Sequence, residues 1–488
     1  MFIAPHEWLH PAQQLSPISP NGLTTSRSFE HAALYKQLAY CYPTVAARSQ
    51  GEEFLQTQLE QLRGESCDVP DVPQDLSLWL ASSFQTVHGQ YAQYLQQRKA
   101  GSPRRYFSNR AHALYFLRSV APTKLVDGAW LYGVLAHWGN PKFSDLVRTY
   151  VEELGEGAPD KNHVLVYRRL LTRYGLDPLH DLADSAYHQG LIQLALGLNA
   201  ERFLPEIIGF NLAYEQLPLH LLITAYELNE LGLDPYYFTL HVTVDNGDTG
   251  HARRACQAVL DTLPRLDDGG AFWNRVREGS KLANAGIGTV EVINGFDIEV
   301  EVRRILMRKS TAGSGAHSDY CRVAGRSVND WLSTADGVLS FLSVLENAGW
   351  IRHGEPAANS RFWQLLRGDR AEMFGVFSSY ELQVIHDWIL GAASVSGQSY
   401  LNASGDEVSK PVRSFRVSQR LAREAHPFKL SDTDSGAAAD LLDSDLALLK
   451  RRLEDPDCNH KLLLIEAMSP ANHWTPAGLY ATRLFNEH

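Results

Sequence analysis

Apolar residues recur at intervals of three and four positions along most of the chain between residues 105 and 310. This spacing puts the apolar side chains on one face of an α-helix, and Gly, Pro or Asn residues separate successive segments. We therefore predict an all-α fold built as a helical bundle. The predicted helical segments are HALYFLRSV, KLVDGAWLYGVLAHW, FSDLVRTYVEELG, HVLVYRRLLTRYG, SAYHQGLIQLALGLN, FLPEIIGFNLAYEQLPLHLLITAYELNELG and YYFTLHVTVDNGDTGHARRACQAVLDTL.

Two further regions flank the predicted bundle. Residues 1–104 are rich in Gln and helical in pattern after a start rich in Pro, Ser and Asn, which predicts an N-terminal helical extension. The segment KSTAGSGAHSDYCR, residues 309–322, is rich in small residues and is typical of a linker. We therefore predict a bundle core at 105–310, followed by a mainly helical C-terminal domain at 311–488.

Composition narrows the classes of function. The chain has 488 residues, of which 44% are hydrophobic, and this is enough apolar material to bury a sizeable core. A formal net charge of −11 gives no electrostatic reason to expect nucleic acid or an anionic membrane as partner. There is no apolar run of about 18 residues and no signal-peptide pattern at the start. The cysteines are scattered, which predicts reduced thiols in a cytoplasmic protein.

In the segment DPYYFTLHVTVDNGDTGH, residues 234–251, both histidines and two of the three aspartates have spacings that suit one helical face. At about 100° per residue, these side chains lie at roughly 0°, 40°, −20° and −80° around a helix. No thiol accompanies them, so the cluster suits iron or manganese better than structural zinc. The four residues are His241, Asp245, Asp248 and His251.

A β-strand is the alternative for this segment. TLHVTVDNGDTG alternates β-branched and polar residues and ends towards a turn, and its two glycines would cost a helix about 1 kcal/mol each. Against this, Asp234 and Pro235 are typical of a helix start, and HARRACQAVLDTL continues in helical register. We predict one helix, with a local distortion near the glycines as a further alternative.

Other helices must supply further ligands if this segment binds metal. The candidates are Asp127 within KLVDGAWLYG, Glu153 and His163 within EELGEGAPDKNH, and Glu215 within GFNLAYEQLPLH. A carboxylate on a buried helix face costs several kcal/mol unless it is paired or coordinated. Together with Asp245, the three acids would carry enough negative charge for two divalent cations, as in bundles with carboxylate-bridged dimetal sites.

Each candidate also has a structural alternative. Any of the acids could cap a helix or face water, and because Glu152 and Glu153 are adjacent we expect at least one of them to be solvated. A single histidine on a helix is more often structural than a ligand. We therefore expect structural roles for His137, His180, His188, His220, His317 and His473.

Three motifs of this chain resemble one known family. LVDGAWL, EELGEGAPDKNH with the following LVYRRLL, and LGLDPYYFTLHVTVDNGDTGHA resemble the haem-oxygenase-like dimetal oxidases and oxygenases, often labelled iron-containing redox enzymes. The resemblance covers about residues 105–310. It implies a haem-oxygenase-like helical bundle that binds non-haem iron in place of haem.

The resemblance also implies a ligand set. Asp127 takes the position of the acid on the first core helix, where family members commonly have Glu. Glu153 and His163 match the second core helix, and Glu215 matches the next acid. The closing motif implies His241, Asp245 and His251 as ligands, with Asp248 as the alternative to Asp245.

The implied activity is that of a diiron oxygenase. Two Fe ions would react with O2 as co-substrate, with electrons from an external donor, to oxidise a small molecule in natural-product biosynthesis. We favour N-oxygenation of an amine- or amino-acid-like substrate. The alternatives are a diiron oxidase that performs C–C cleavage, decarboxylation or desaturation, and a non-catalytic metal-binding helical protein. Terminal extensions cover the site or mediate dimerisation in some larger members, so a homodimer is a further expectation.

Overall fold

The computed structural model describes residues 30–40, 42–177, 179, 181–244, 250–266, 269–313, 315, 317–318, 320–367, 371–391, 399–401, 407–409 and 443–487. Within these ranges the fold is all-α apart from two short antiparallel strand pairs, so the predicted fold class is confirmed. None of the described helices has both the length and the apolar character needed to cross a membrane.

The first half of the described chain holds eleven of the α-helices. In chain order these are α1 (His31–Leu38), α2 (Val45–Gln61), α3 (Leu76–Lys99), α4 (Arg110–Ser119), α5 (Ala121–Lys124), α6 (Ser144–Glu153), α7 (His163–Arg173), α8 (His188–Leu198), α9 (Ala200–Tyr214), α10 (Leu219–Glu230) and α11 (Tyr236–Val244). A 3₁₀-helix at Ala129–His137 and another at Gly155–Gly157 lie between them.

The second half continues with α12 (His251–Thr262), α13 (Gly270–Lys281), α14 (Thr289–Asn294), α15 (Ile298–Gly313), α16 (Val328–Leu332), α17 (Ala335–Asn347), α18 (Arg361–Arg367), α19 (Ser379–Leu390), α20 (Ser444–Leu453), α21 (His460–Ala467) and α22 (Pro476–Glu487). The strands are β1 (Arg322–Val323) paired with β2 (Arg326–Ser327), and β3 (Ser399–Leu401) paired with β4 (Glu407–Ser409).

Two hydrophobic clusters hold the helices together. The first joins α1 and α2 to α6, α8, α9, α12 and α13, and it also contains apolar side chains of α20, α21 and α22. The second joins α4, α7, α10 and α11 to α15, α17, α18 and α19. Side chains from all three predicted units therefore share these clusters, and the proposed unit boundaries remain predictions.

Helices α9 and α13 approach closely because glycines lie at their contact. A Cβ atom built on Gly209 would lie 1.8 Å from the carbonyl oxygen of Val276, and one on Gly279 would lie 2.3 Å from that of Glu206. Only glycine leaves room for this packing. The contact fixes α9, which carries Glu215 at its C-terminal end, in the core.

Two segments predicted as continuous helices are interrupted. The segment around Glu215 divides into α9 and α10, because the backbone at Pro218 is extended and a proline disfavours helical geometry in the residue before it. Asp127 lies in a turn between α5 and the 3₁₀-helix, where Gly128 adopts a left-handed conformation with φ of 81°. Asp127 is therefore not on a core α-helix.

The prediction of one helix through residues 241–251 is wrong. Helix α11 ends at Val244, and α12 starts anew at His251 after Gly250, whose φ of −82° and ψ of −169° are extended. His241 and His251 consequently lie on separate helices and do not share a helical face. Asp245 and Asp248 lie outside the described residues.

Candidate metal centre

Six of the predicted ligand residues come together in the core as two groups of three. Asp127, His163 and His241 form one group, here called the histidine-rich trio. The other group, here called the carboxylate-rich trio, consists of Glu153, Glu215 and His251. In each trio, one nitrogen or oxygen atom from every residue lies within 4.8 Å of the other two. All six side chains are buried, with exposed fractions between 0% and 8%.

Local structure places the histidine-rich trio. The turn that carries Asp127 packs tightly on α6, since a Cβ atom on Gly128 would lie 3.0 Å from the Cβ atom of Glu153. His163 is the first residue of α7, and its neighbour Asn162 caps that helix by accepting a hydrogen bond from the backbone N–H of Leu165. His241 comes from α11, and its ring centroid lies 4.3 Å from that of His163.

The carboxylate-rich trio is assembled from helix ends. Glu153 is the last residue of α6, Glu215 is the C-cap of α9, and His251 is the first residue of α12. The C-terminal end of a helix carries partial negative charge, so it destabilises a carboxylate and favours a nearby cation. The N-terminal end that carries His251 disfavours a protonated imidazole. The first effect favours a cation beside the two carboxylates, and the second favours a neutral histidine.

Glu153 contacts both trios. Its Oε2 atom lies 2.6 Å from Nδ1 of His163, and its Oε1 atom lies 3.2 Å from Nδ1 of His251. The same nitrogen of His251 is 3.1 Å from Oε2 of Glu215. In the other trio, Oδ2 of Asp127 lies 3.2 Å from Nε2 of His241 and 3.9 Å from Nδ1 of His163. The two trios thus form one continuous cluster, with Glu153 between them.

Two carboxyl groups of this cluster, those of Asp127 and Glu153, favour their charged form. Burial raises the pKa of Asp127, but Lys124 and His241 lower it by more, so the pKa lies below its usual value. Burial likewise raises the pKa of Glu153, and His163 and His251 outweigh it and hold that pKa well below the usual range. Charged carboxylates at this depth are costly unless cations accompany them.

The ligand atoms themselves fit a metal. Three atoms of the cluster, Oδ1 of Asp127, Oε2 of Glu153 and Nδ1 of His163, have no hydrogen-bond partner among the described residues. The last two lie only 2.6 Å apart without hydrogen-bond geometry. Buried polar atoms are rarely left in this way. Carboxylates and imidazoles without thiolates, projecting into a helical core, suit iron or manganese.

Sequence reasoning missed several neighbours of the cluster. The hydroxyl of Tyr237 donates a hydrogen bond to Oδ2 of Asp127, and Tyr237 precedes His241 by one helical turn on α11. That spacing was a readable signal. Lys124, at the end of α5, lies 5.7 Å from the ring centroid of Tyr237.

His473, for which we expected a structural role, also lies next to the cluster. It is 1% exposed, and its Nδ1 atom accepts a hydrogen bond from the side-chain amide of Asn162 at 3.1 Å. Burial, with a contribution from Arg168, lowers the pKa of His473 to about 3. A neutral His473 therefore supports the turn that carries His163. No local pattern links positions 311 residues apart, so the sequence held no signal for this contact.

Glu152 is the neighbour of Glu153, and we expected at least one of these two acids to face water. Its side chain is only 21% exposed, and it binds Arg254 and His251. Burial raises the pKa of Glu152, but hydrogen bonds from Arg254, His251 and Arg148 together hold it below the usual value. The carboxylate is thus charged and fully engaged beside the carboxylate-rich trio.

Comparison with known proteins agrees with this chemistry. Residues 114–284 match the model of a protein family described as iron-containing redox enzymes. The match supports assignment of this region to the haem-oxygenase-like iron redox enzymes, and an all-α fold of that kind agrees with the helices described above. The matched region contains all six residues of the two trios. No curated protein and no solved structure matches the chain.

Proposed function

We propose that the protein is a non-haem diiron oxygenase that uses O2 to oxidise an amine- or amino-acid-like small molecule, with N-oxygenation as the favoured reaction. The observation that carries the proposal is the pair of buried trios, which are joined by the contact between Glu153 of one trio and His163 of the other. The match of the central region to an iron-containing redox family supports an oxidoreductase. The preference for a nitrogen-containing substrate rests on the family resemblance alone.

Each trio would hold one iron ion. Asp127, His163 and His241 would bind the first, Glu215 and His251 the second, and Glu153 lies where it can reach both. Asp245 and Asp248 are proposed as further ligands, of which one would complete the set. Once bound, the iron pair would supply electrons to O2 and an oxidising centre for the substrate.

The residues around the trios would prepare them for this chemistry. The Tyr237 hydroxyl holds Oδ2 of Asp127, which orients the carboxylate while Oδ1 has no hydrogen-bond partner among the described residues. The rings of Tyr237 and Tyr167 pack 4.6 Å apart beside His241, and this apolar wall would keep bulk water from the centre. Neutral histidines would add no negative charge to the three carboxylates. An external reductant would restore the reduced state after each turnover.

The proposal is tested by loading the full chain with Fe(II) without oxygen and then adding a pulse of O2. We expect transient visible absorption, followed by incorporation of isotopically labelled oxygen into one of a panel of amines and amino acids. A protein that binds iron but shows no transient would be a non-catalytic metal-binding protein and would contradict the proposal. A transient followed by C–C cleavage, decarboxylation or desaturation of the substrate, without transfer of oxygen to nitrogen, would support the alternative diiron oxidase.

A matched pair of variants locates the reaction. His241→Ala removes a ligand of the histidine-rich trio, and the transient should disappear. His88→Ala removes an exposed histidine on α3, unlike the buried histidines of the trios, and should behave as the unmodified protein. An O2 reaction that survives His241→Ala unchanged would rule out this site.

A further inference from the structure

His251 is held between two adjacent carboxylates from the end of α6. Its Nδ1 atom faces Oε1 of Glu153 at 3.2 Å, inside the carboxylate-rich trio. Its Nε2 atom, on the opposite side of the ring, lies 3.0 Å from Oε2 of Glu152. The imidazole is 0% exposed, so water does not compete for either nitrogen.

Glu152 is itself fixed by arginines. Arg254 binds it through both terminal nitrogens: Nη1 donates to Oε1 at 2.7 Å, and Nη2 donates to Oε2. Arg148, which is 71% exposed, donates from Nε to Oε1 at 2.9 Å. A two-pronged arginine–carboxylate pair is geometrically rigid. Because Arg254 and His251 are both on α12, three positions apart, the pair fastens the start of α12 to the end of α6.

Carboxylates face both ring nitrogens of His251: Glu152 lies at Nε2, and Glu153 and Glu215 lie at Nδ1. A metal ion in the carboxylate-rich trio would take the lone pair of Nδ1. The neutral ring would then carry its one hydrogen on Nε2 and donate it to Glu152. We propose that Glu152 and Arg254 form a positioning pair that fixes this tautomer and so presents Nδ1 of His251 to a metal ion in the carboxylate-rich trio.

Charge explains why Glu152 is not a ligand itself. Both of its oxygens are occupied by hydrogen bonds, and the two arginines offset its negative charge. Glu153 and Glu215 instead face the histidines of the trios, with Glu153 against His163 and His251 and Glu215 against His251. Carboxylates that orient a metal-bound histidine in this way commonly contribute 10- to 100-fold, as an order of magnitude, to metal affinity.

The inference rests on the proposed diiron centre and is tested by metal binding, not by turnover. Anaerobic Fe(II) titration, followed by Mössbauer spectra with isotopically enriched iron, reports each ion separately. Glu152→Ala should weaken one of the two ions about 10- to 100-fold and leave the second unchanged. Arg254→Ala should weaken the same ion by a smaller factor, since Glu152 remains but is no longer held.

Two further variants separate positioning from general stability. Glu152→Gln should rescue part of the loss, because its amide oxygen can still accept from Nε2 of His251. Arg148→Ala removes the exposed partner of the same carboxylate and should weaken that ion much less than Arg254→Ala, because an exposed ion pair contributes little. Unchanged affinity in Glu152→Ala would overturn the inference. Equal weakening of both ions would overturn it as well, whether or not the metal-free variant melts at a lower temperature.

The outcomes distinguish this inference from the function on which it rests. If the unmodified protein binds fewer than two iron ions, the diiron proposal fails. If it binds two and Glu152→Ala binds both equally well, only the positioning role fails.

Discussion

The two trios differ in charge and in surroundings, although they touch through Glu153. The histidine-rich trio has one carboxylate and two imidazoles, and its neighbours are aromatic, with Tyr237 bound to Asp127. The carboxylate-rich trio has two carboxylates and one imidazole, and its neighbours are the charged pair of Glu152 and Arg254. A site with more carboxylate better stabilises the higher charge of an oxidised metal ion. If each trio holds an iron ion, as proposed above, the two ions would lie in different surroundings.

The largest effect should follow from a change of Glu153, the residue that contacts histidines of both trios. Glu153→Ala removes a carboxylate that contacts histidines of both groups, so both ions should be lost. Iron per chain, measured by elemental analysis after anaerobic loading, should fall from two towards none. Glu60→Ala, at an exposed position of α2, is the matched control and should retain both. Retention of two ions in Glu153→Ala would show that the trios do not share this ligand.

Single-histidine variants should separate the trios. His241→Ala should release the ion of the histidine-rich trio and keep the other, and His251→Ala should do the reverse. Each variant should therefore bind one ion, with Mössbauer parameters that differ between the two proteins. Identical spectra from the two variants would contradict the inequivalence of the sites.

Tyr237→Phe should have a smaller effect on iron binding, confined to the histidine-rich trio. It removes the hydrogen bond to Asp127 and leaves the packed ring in place. A hydrogen bond to a charged group contributes about 1.5–3 kcal/mol, so the histidine-rich ion should bind about 10- to 100-fold more weakly. Fe(II) titration should detect this change. Equal weakening at the carboxylate-rich trio would mean that Tyr237 acts on the whole core.

The smallest effect is a loss of folding stability as the pH falls. With a pKa of about 3, His473 stays neutral in the folded protein, whereas the unfolded chain takes up a proton near its ordinary value of 6.5. The unfolded state therefore binds more protons as the pH falls below 6.5, and the folded protein loses stability until the pH approaches 3. Between pH 7 and pH 5, His473 should account for a loss on the order of 1–2 kcal/mol.

Denaturant unfolding of the metal-free protein at both pH values measures this loss. The depressed pKa values of Asp127 and Glu153 act only at lower pH, so they do not contribute within this window. His473→Gln should flatten the dependence, and His460→Gln, at an exposed position of α21, should leave it unchanged. An equally steep dependence in His473→Gln would assign the acid sensitivity to other groups, such as His188 and His220, whose pKa values burial lowers to about 4.

Residue pattern was sufficient for the fold class and for much of the cluster. Apolar periodicity is local, so it predicted the all-α class correctly. Six of the candidate ligands, chosen from spacing and from the family resemblance, come together in the core. The break between α11 and α12 was foreseen only as a local distortion near the glycines, because the HARRACQAVLDTL segment continues in helical register. The folded backbone shows that Gly250 is extended. Whether these residues bind metal remains a prediction.

The supporting residues could not be predicted because they depend on contacts between distant parts of the chain. At least one of Glu152 and Glu153 was expected to face water. In the structure Glu152 binds Arg254 of α12, which lies 102 positions further along the chain. His473 reaches Asn162 from the C-terminal region, across 311 positions. Periodicity carries no information about such pairs, and only the packing of helices brings them together.

The most direct test of two inequivalent iron sites is a Mössbauer spectrum of the full chain loaded anaerobically with enriched Fe(II), together with its iron content. The two trios predict two ions per chain and two quadrupole doublets of equal area, of which His241→Ala removes one and His251→Ala the other. A single ion per chain, or a single doublet that both variants reduce equally, would contradict the account.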